Sequence, residues 1–211
     1  MKIADLLFWN VDTQFDFVSP DGKLYVNDAE NLKFKWKKLT VLAEQKSIRV
    51  VNTADFHYSN SAELDSNPDF VNTFPPHCMA HTKGAAYIDE TEPKSPIVFD
   101  WDKKYNSVSD LLSDEEHRNI VIRKDAFDVF KGNPFTESIL NFLSPKIVVV
   151  YGVTTNVCVN DAVVGLASRV ERVYVIEDAI KELPNIPLPF ENWKKLAVEL
   201  IQFNELEKLL K

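Results

Sequence analysis

The stretch Val148-Val-Val-Tyr-Gly-Val-Thr-Thr-Asn-Val-Cys158 decides the fold. A short β-branched apolar run reads as a buried strand. It gives way to Gly152, Thr154, Thr155 and Asn156, and then to Val159, Ala162, Val163, Leu166 and Ala167 at helical spacing. Cys158 is therefore expected in the first turn of a helix that follows a core strand. There the partial positive charge of the helix N-terminus favours thiolate over thiol. Free backbone N–H groups in the same turn point toward whatever the sulfur attacks. The arrangement suits a nucleophile, although a lone Cys at a helix start is more often a buried structural residue.

Working outward, four more segments read as short buried strands: Leu6 to Val11, Ile48 to Asn52, Asn119 to Ile122 and Arg172 to Ile176. With Ile147 to Tyr151 they alternate with helical patterns at Asn31 to Glu44, Glu137 to Phe142 and Asn156 to Ser168. Strands alternating with helices imply βαβ units, hence a parallel sheet with right-handed crossovers. Phe190 to Phe203 reads as one helix or, preferably, as a helix to about Ala197 and a last strand Glu199 to Phe203. A short terminal helix Glu205 to Leu210 follows, and Pro184, Pro187 and Pro189 stiffen the approach. Thr53 to His117 breaks the pattern. It is too long for a plain crossover, and loops of that length are usually functional or disordered.

The composition bounds the rest. The chain has 211 residues, 45% of them hydrophobic, enough for one domain over residues 1–211 with a substantial core. Its net charge is −8, and Lys and Arg are scattered apart from Lys33, Lys35, Lys37 and Lys38, which read as the wet face of a helix. No nucleic-acid footprint follows. No apolar run reaches membrane-helix length, and the N-terminus lacks a secretory pattern. Two cysteines argue against a disulfide scaffold and for a reducing cytoplasm.

In the common doubly wound order 3-2-1-4-5-6, the ligand crevice opens at the carboxyl ends of the strands where the order reverses. Asp12 follows the first strand, Asp55 and His57 the second, Lys124 the third and Cys158 the fourth. Four of five strand ends thus deliver a chemically capable residue to one rim. Asp12 can accept a thiol proton, while Lys124 can stabilise the thiolate and hold Asp12 ionised. Asp12 alone reads as a turn residue and Lys124 alone as a solvated Lys; it is the trio that suggests catalysis. Asp55-Phe-His57 ends a strand, so both polar side chains point to one side. Phe74-Pro-Pro-His77 fixes a second imidazole in a stiff loop. Two imidazoles and a carboxylate suit Zn²⁺, Fe²⁺ or Mn²⁺. Glu63 could add a carboxylate directly or through water, and Cys78 is expected to be a bystander. His81 and His117 read as surface residues. Phe17 and Phe74 lie in rim loops, where they could clamp a flat substrate.

These residues resemble a family. Asn10-Val-Asp12-Thr-Gln14-Phe-Asp-Phe17 is similar to the V-D-x-Q-x-D-F opening of the isochorismatase-like cysteine hydrolases. Thr53-Ala-Asp55-Phe-His57 and Phe74-Pro-Pro-His77-Cys-Met-Ala-His-Thr82-Lys-Gly84-Ala85 resemble metal-site segments of its nicotinamidase (pyrazinamidase) branch. Arg123-Lys124-Asp-Ala-Phe127 resembles the catalytic-Lys segment, and Gly152-Val-Thr-Thr-Asn-Val-Cys158-Val the nucleophile motif.

The resemblance implies an α/β fold, a three-layer, doubly wound parallel six-stranded sheet with a long metal-site insertion after the second strand. It implies an Asp12–Lys124–Cys158 triad and one divalent metal on Asp55, His57 and His77. A cis peptide between Val153 and Thr154 would aim the Thr154 and Cys158 N–H groups as an oxyanion hole, and Phe17, Phe74, Val153 and Thr154 would contact substrate. The implied activity is hydrolysis of nicotinamide to nicotinate and ammonia, a step of NAD salvage in the cytoplasm. Zn²⁺ is the first expectation for the metal, and self-association is left open. A related hydrolase of another small amide, a carbamoyl group or an ether is the alternative, and a catalytically silent scaffold a more distant one. Three departures stand out: Glu63 where many nicotinamidases carry a third His, Phe74 where Trp is frequent, and His81 where Gly is common.

Overall fold

Every strand found runs parallel to its neighbours, as the βαβ pattern requires. The computed structural model describes residues 1–113 and 117–210. In chain order the strands are β1 (Leu6–Val11), β2 (Arg49–Asp55), β3 (Ile97–Phe99), β4 (Asn119–Lys124), β5 (Ile147–Val153), β6 (Arg172–Lys181) and β7 (Glu199–Ile201). The helices are α1 (Phe15–Val18), α2 (Lys33–Lys46), α3 (Val108–Leu112), α4 (Val129–Gly132), α5 (Thr136–Leu143), α6 (Cys158–Ala167), α7 (Phe190–Lys195) and α8 (Phe203–Leu209).

The sheet has seven strands in the order β3-β4-β2-β1-β5-β6-β7. This is the anticipated doubly wound order with one strand more than six. The extra strand, β3, lies within the long Thr53 to His117 segment and pairs with β4 at the sheet edge. Several strands also run further toward the rim than the sequence reading placed them. β2 ends on Asp55 and β4 on Lys124, so both side chains leave from ordered strand ends rather than from loops.

Both faces of the sheet are covered, which is why its strands read as continuous apolar runs. On one face Phe8, Val50, Val149 and Tyr174 meet Trp36, Leu39 and Ala43 of α2 and Phe203 and Leu206 of α8. On the other, Leu7, Trp9, Val148 and Val150 meet Val159, Ala162, Val163 and Leu166 of α6, Ile139 and Leu140 of α5, and Trp193 of α7. Trp36 is fully buried, and its indole N–H donates to Ala179 O at 2.9 Å, tying α2 to β6. Among the described residues no helix is long and apolar enough to cross a membrane.

A tight backbone approach between β1 and β5 lies beside the crevice. Gly152 has φ +125°, and a Cβ placed there would lie 2.0 Å from Val11 O. β5 and β6 shift register between Val150 and Gly152. A side chain at Gly152 must push β5 away from β1, and with it the turn that leads to Cys158. Gly152→Ala is expected to destabilise the protein by about 3 kcal/mol or more, since it combines steric overlap with a backbone region forbidden to Ala. Urea unfolding monitored by circular dichroism measures this; a loss below about 1 kcal/mol would show that the strand pair can relax.

The long segment after β2 folds back over the carboxyl rim. Isolated bridges stitch it down: His57 to Met79, Leu64 to Phe74, and Tyr87 to Gln14. Gln14 is buried, accepting from Asp55 N at 2.8 Å through Oε1 and donating from Nε2 to Asp55 O and Ala85 O, both at 2.8 Å. One side chain thus locks the end of β2 to the loop that carries His77.

Candidate active site

Three strand ends and one helix start converge at the crevice between β1 and β5. Asp12 follows β1 in a left-handed conformation, with φ 47°. Its Oδ1 accepts from Thr53 Oγ1 at 2.6 Å, and Lys124 Nζ lies 3.0 Å from its Oδ2. No donor is aligned for a hydrogen bond on that Oδ2, which leaves a lone pair for a proton. Lys124 is 1% exposed and touches three partners: Asp12, Asp55 Oδ1 through a short ion pair, and Cys158 Sγ at 3.7 Å. Cys158 opens α6, and its sulfur, an Asp12 oxygen and an Asp55 oxygen all lie within 4.8 Å of one another. The sequence reading named Asp12, Lys124 and Cys158; the structure brings them into one buried cluster.

The electrostatics correct one expectation. The helix N-terminus was expected to favour the Cys158 thiolate. Instead, burial together with Asp12, Asp55 and Glu63 pushes the thiol well above its ordinary value, and Lys124 only partly offsets them. The helix dipole acts over one turn with a fraction of a charge, whereas desolvation and nearby carboxylates act with whole charges at low dielectric. Cys158 is therefore a thiol at rest and needs a base as it attacks. Burial and the neighbouring Asp55 also raise Asp12, against the pull of Lys124 and the Thr53 hydrogen bond, so it is a better base than an exposed carboxylate. Asp55 goes the other way. Burial opposes its charge, but Lys124, His57 and His77 hold it well below the carboxylate range.

Asp55, His57 and His77 form a second buried group, each offering a ligand atom within 4.8 Å of the other two. His57 Nε2 lies 3.8 Å and His77 Nε2 3.6 Å from Asp55 Oδ2. Among the described residues neither Asp55 Oδ2 nor His57 Nε2 has a hydrogen-bond partner, though both are buried. Burial opposes a charge on His57, yet the Asp125 and Asp55 carboxylates carry its pKa up to about 9. The unpartnered buried oxygen and nitrogen facing each other leave a place for a cation, and the donor set fits a borderline divalent ion. Glu63 is not part of this trio. Its Oε1 accepts from Phe127 N at 2.6 Å, its buried Oε2 has no hydrogen-bond partner, and burial and Asp55 raise it to about 7. Cys78 stays apart as expected, its sulfur 3.7 Å from Gly84 O.

A narrow cleft with a cavity volume of about 10 Å³ joins the two groups, lined by Phe17, Phe74, His77, Phe127, Thr154 and Cys158 among others. Phe17 packs 5.3 Å from the His77 ring, and Phe74 meets Phe127 edge-on at 5.5 Å. Phe17 belongs to the short helix α1 rather than to a loop. Val153 does not line the cleft. It packs into the core, and its part at the rim is its peptide bond to Thr154, which is cis. Phe127 and, beyond those six, Leu24, Val157 and Leu183 also line the cleft; in the sequence they are indistinguishable from core residues. His81 is exposed, as expected, and stacks edge-on against Phe56. His117 is half-buried, with Nδ1 2.7 Å from Ser95 O.

Solved structures share this architecture. A Pyrococcus horikoshii pyrazinamidase in complex with zinc aligns with a TM-score of 0.70 at 22% identity, covering 94% of this chain and 99% of that one. N-carbamoylsarcosine amidase from Thermoplasma acidophilum gives 0.70 at 19% identity over 94% and 96%. PnC1 from L. infantum, in complex with nicotinate, gives 0.73 at 19% identity over 97% and 96%. At such identities the likeness is one of fold. No curated protein matches the chain. A family model does, over a span that runs from the first residue of β1 past the last residue of β6: residues 6–186 match the isochorismatase domain, and the chain belongs to that family of hydrolases.

Proposed function

We propose that the chain is a metal-assisted cysteine amidase that hydrolyses nicotinamide to nicotinate and ammonia through a thioester. The observation that carries the reading is Asp55, which belongs at once to the His57–His77 group and to the Asp12–Cys158 group. One carboxylate thus ties a cation site to a nucleophile at the mouth of an aromatic-walled cleft.

The chain's own groups supply the chemistry. Asp12 Oδ2 takes the Cys158 proton as Sγ attacks the carboxamide carbon. Negative charge developing on the oxygen faces the Thr154 and Cys158 amides; donors of this kind are each worth on the order of 10²–10³ in rate. Asp12 returns the proton to the departing nitrogen, ammonia leaves, and the acyl group remains on Cys158. Water then gives a proton to Asp12 and attacks the thioester, and nicotinate leaves as the sulfur recovers a proton. Lys124 holds Asp12 and Asp55 together throughout. Asp55, His57 and His77 would hold the divalent ion, which supplies a Lewis-acid contact for a ring nitrogen. Phe17, Phe74 and Phe127 pack against the ring.

The apolar walls of Phe17, Leu24, Phe74 and Phe127 favour a flat ring over a charged chain. An ammonia-release assay on nicotinamide, pyrazinamide, benzamide and a carbamoyl compound, before and after chelation and after Zn²⁺ return, tests this. Nicotinamide and pyrazinamide should lead benzamide by roughly 100-fold or more in kcat/KM, because a site built around one polar contact rejects the analogue that lacks it. Chelation should remove the activity and Zn²⁺ restore it. Equal turnover of benzamide, or full activity without metal, would replace this reading with the carbamoyl or amide alternative.

A further inference from the structure

We infer that Asp125 is a positioning residue that fixes the tautomer of His57 and so makes its Nε2 a ligand; this rests on reading Asp55, His57 and His77 as the metal site. Asp125 Oδ1 lies 2.7 Å from His57 Nδ1. A carboxylate only accepts, so the proton of that contact belongs to Nδ1. With Nδ1 keeping its proton for Asp125, a cation can displace only the proton on Nε2, and His57 Nε2 is the buried atom that faces Asp55 Oδ2 without a partner. The opposite tautomer would set two lone pairs against each other at Asp125 and put an N–H where a cation would sit.

The other neighbour of Nδ1 does not settle the matter. Ser61 Oγ is 3.1 Å away, and a hydroxyl can donate or accept. With Ser61 alone, both tautomers are allowed. His77 needs no such side chain, because its Nδ1 lies 2.8 Å from the Pro75 carbonyl, a fixed acceptor. The two imidazoles therefore receive the same instruction from different sources, one from backbone and one from Asp125.

Asp125 is itself held in place. It follows Lys124 directly, and its N–H donates to Gly132 O at 3.3 Å. A Cβ on Gly132 would lie 2.8 Å from Ala126 N and 3.0 Å from Lys124 Cβ, so α4 packs tightly under this turn. Consecutive residues thus serve the two buried groups: Lys124 faces Asp12 and Cys158, and Asp125 faces His57. A carboxylate behind a ligating His also makes the ring a stronger donor, and losing such a partner typically costs 10–100-fold in metal affinity.

The test compares wild type, Asp125→Asn and Asp125→Ala. Zn²⁺ affinity is measured by competition with a chromophoric chelator, and the zinc-loaded proteins are examined by long-range ¹H–¹⁵N correlation of the His rings. Wild type should bind about one Zn²⁺ with His57 protonated on Nδ1 and coordinated through Nε2. Asp125→Asn keeps an acceptor oxygen and should keep that tautomer, losing affinity severalfold. Asp125→Ala should lose roughly 10–100-fold, while circular dichroism shows the metal-free variant folded. An Asp125→Ala protein that binds Zn²⁺ within twofold of wild type, or a wild-type His57 that coordinates through Nδ1, would overturn the inference with the metal site intact. A wild type that binds no divalent ion would overturn the metal reading and this inference together.

Discussion

Cys158→Ala is expected to lower ammonia release from nicotinamide by on the order of 10⁴–10⁶-fold, the range seen when a covalent nucleophile is removed from a hydrolase. The fold should survive. Cys158 opens α6, where Ala is a good helix former, and deleting one buried sulfur costs on the order of 1 kcal/mol. Nicotinamide binding should also survive, because the cleft wall is built from Phe17, Phe74, Phe127 and Leu183. Calorimetric binding of nicotinamide to the variant therefore separates a chemical defect from a structural one. A variant that retained a tenth of wild-type turnover would show that another group attacks the amide.

The resting thiol sharpens this expectation. Because burial and the carboxylates of Asp12, Asp55 and Glu63 push Cys158 upward, iodoacetamide should alkylate it slowly near neutral pH and faster as pH rises. Turnover uses Asp12 as base within the substrate complex and should not follow that slow profile. A sulfur that alkylates rapidly at pH 6 would mean a thiolate at rest, and Asp12 would then have no proton to take.

The catalytic cluster was legible because parallel sheets send successive strand ends to one rim. Asp12, Asp55, Lys124 and Cys158 are far apart in the chain, but the first three end or directly follow a strand and Cys158 opens the helix after one, and that needs only element assignments. β3 was not legible. Ile97, Val98 and Phe99 lie between Pro96 and Asp100, too short a run to show periodicity. The state of the thiol was not legible either, because the helix-end argument is local, while Asp12 and Asp55 act on Cys158 only once the chain has folded. Asp125 beside Lys124 looks like one more solvated acid until His57 is seen 2.7 Å away. Phe127 and Leu24 could not be told from core, because a cleft that binds a flat ring is lined as a core is.

Lys124→Met is expected to reduce kcat by about 10³-fold or more and to destabilise the metal-free protein by about 3–5 kcal/mol, the cost of leaving buried charges without their partner. Met fills nearly the same space, so the loss is electrostatic rather than a cavity. In the wild type Lys124 Nζ lies 3.0 Å from Asp12 Oδ2 and also pairs with Asp55. Burial alone would lower Lys124, but Asp12 and Asp55 raise it well above its ordinary value. Its contribution to stability is therefore fully present below the unfolded lysine value of about 10.4 and is lost as pH rises through the higher folded value. Asp55 is held low by Lys124, His57 and His77 against its burial, so its contribution is present above the unfolded carboxylate value of about 3.9 and is lost as pH falls through the lower folded value. In wild type the contributions of these two groups are therefore both fully present from about pH 4 to 10. In the variant, Asp12 and Asp55 face each other without a cation, and the folded state relieves them by keeping a proton. That protonated Asp12 cannot accept the Cys158 proton, so activity fails for the same reason that stability falls. Urea unfolding of the two metal-free proteins at pH 3, 7 and 9 reads the difference directly, and the gap should narrow at pH 3, where unfolded carboxylates are protonated as well. A variant within about 1 kcal/mol of wild type at pH 7 would mean that another group neutralises the two carboxylates, and Lys124 would lose its place at the centre of the cluster.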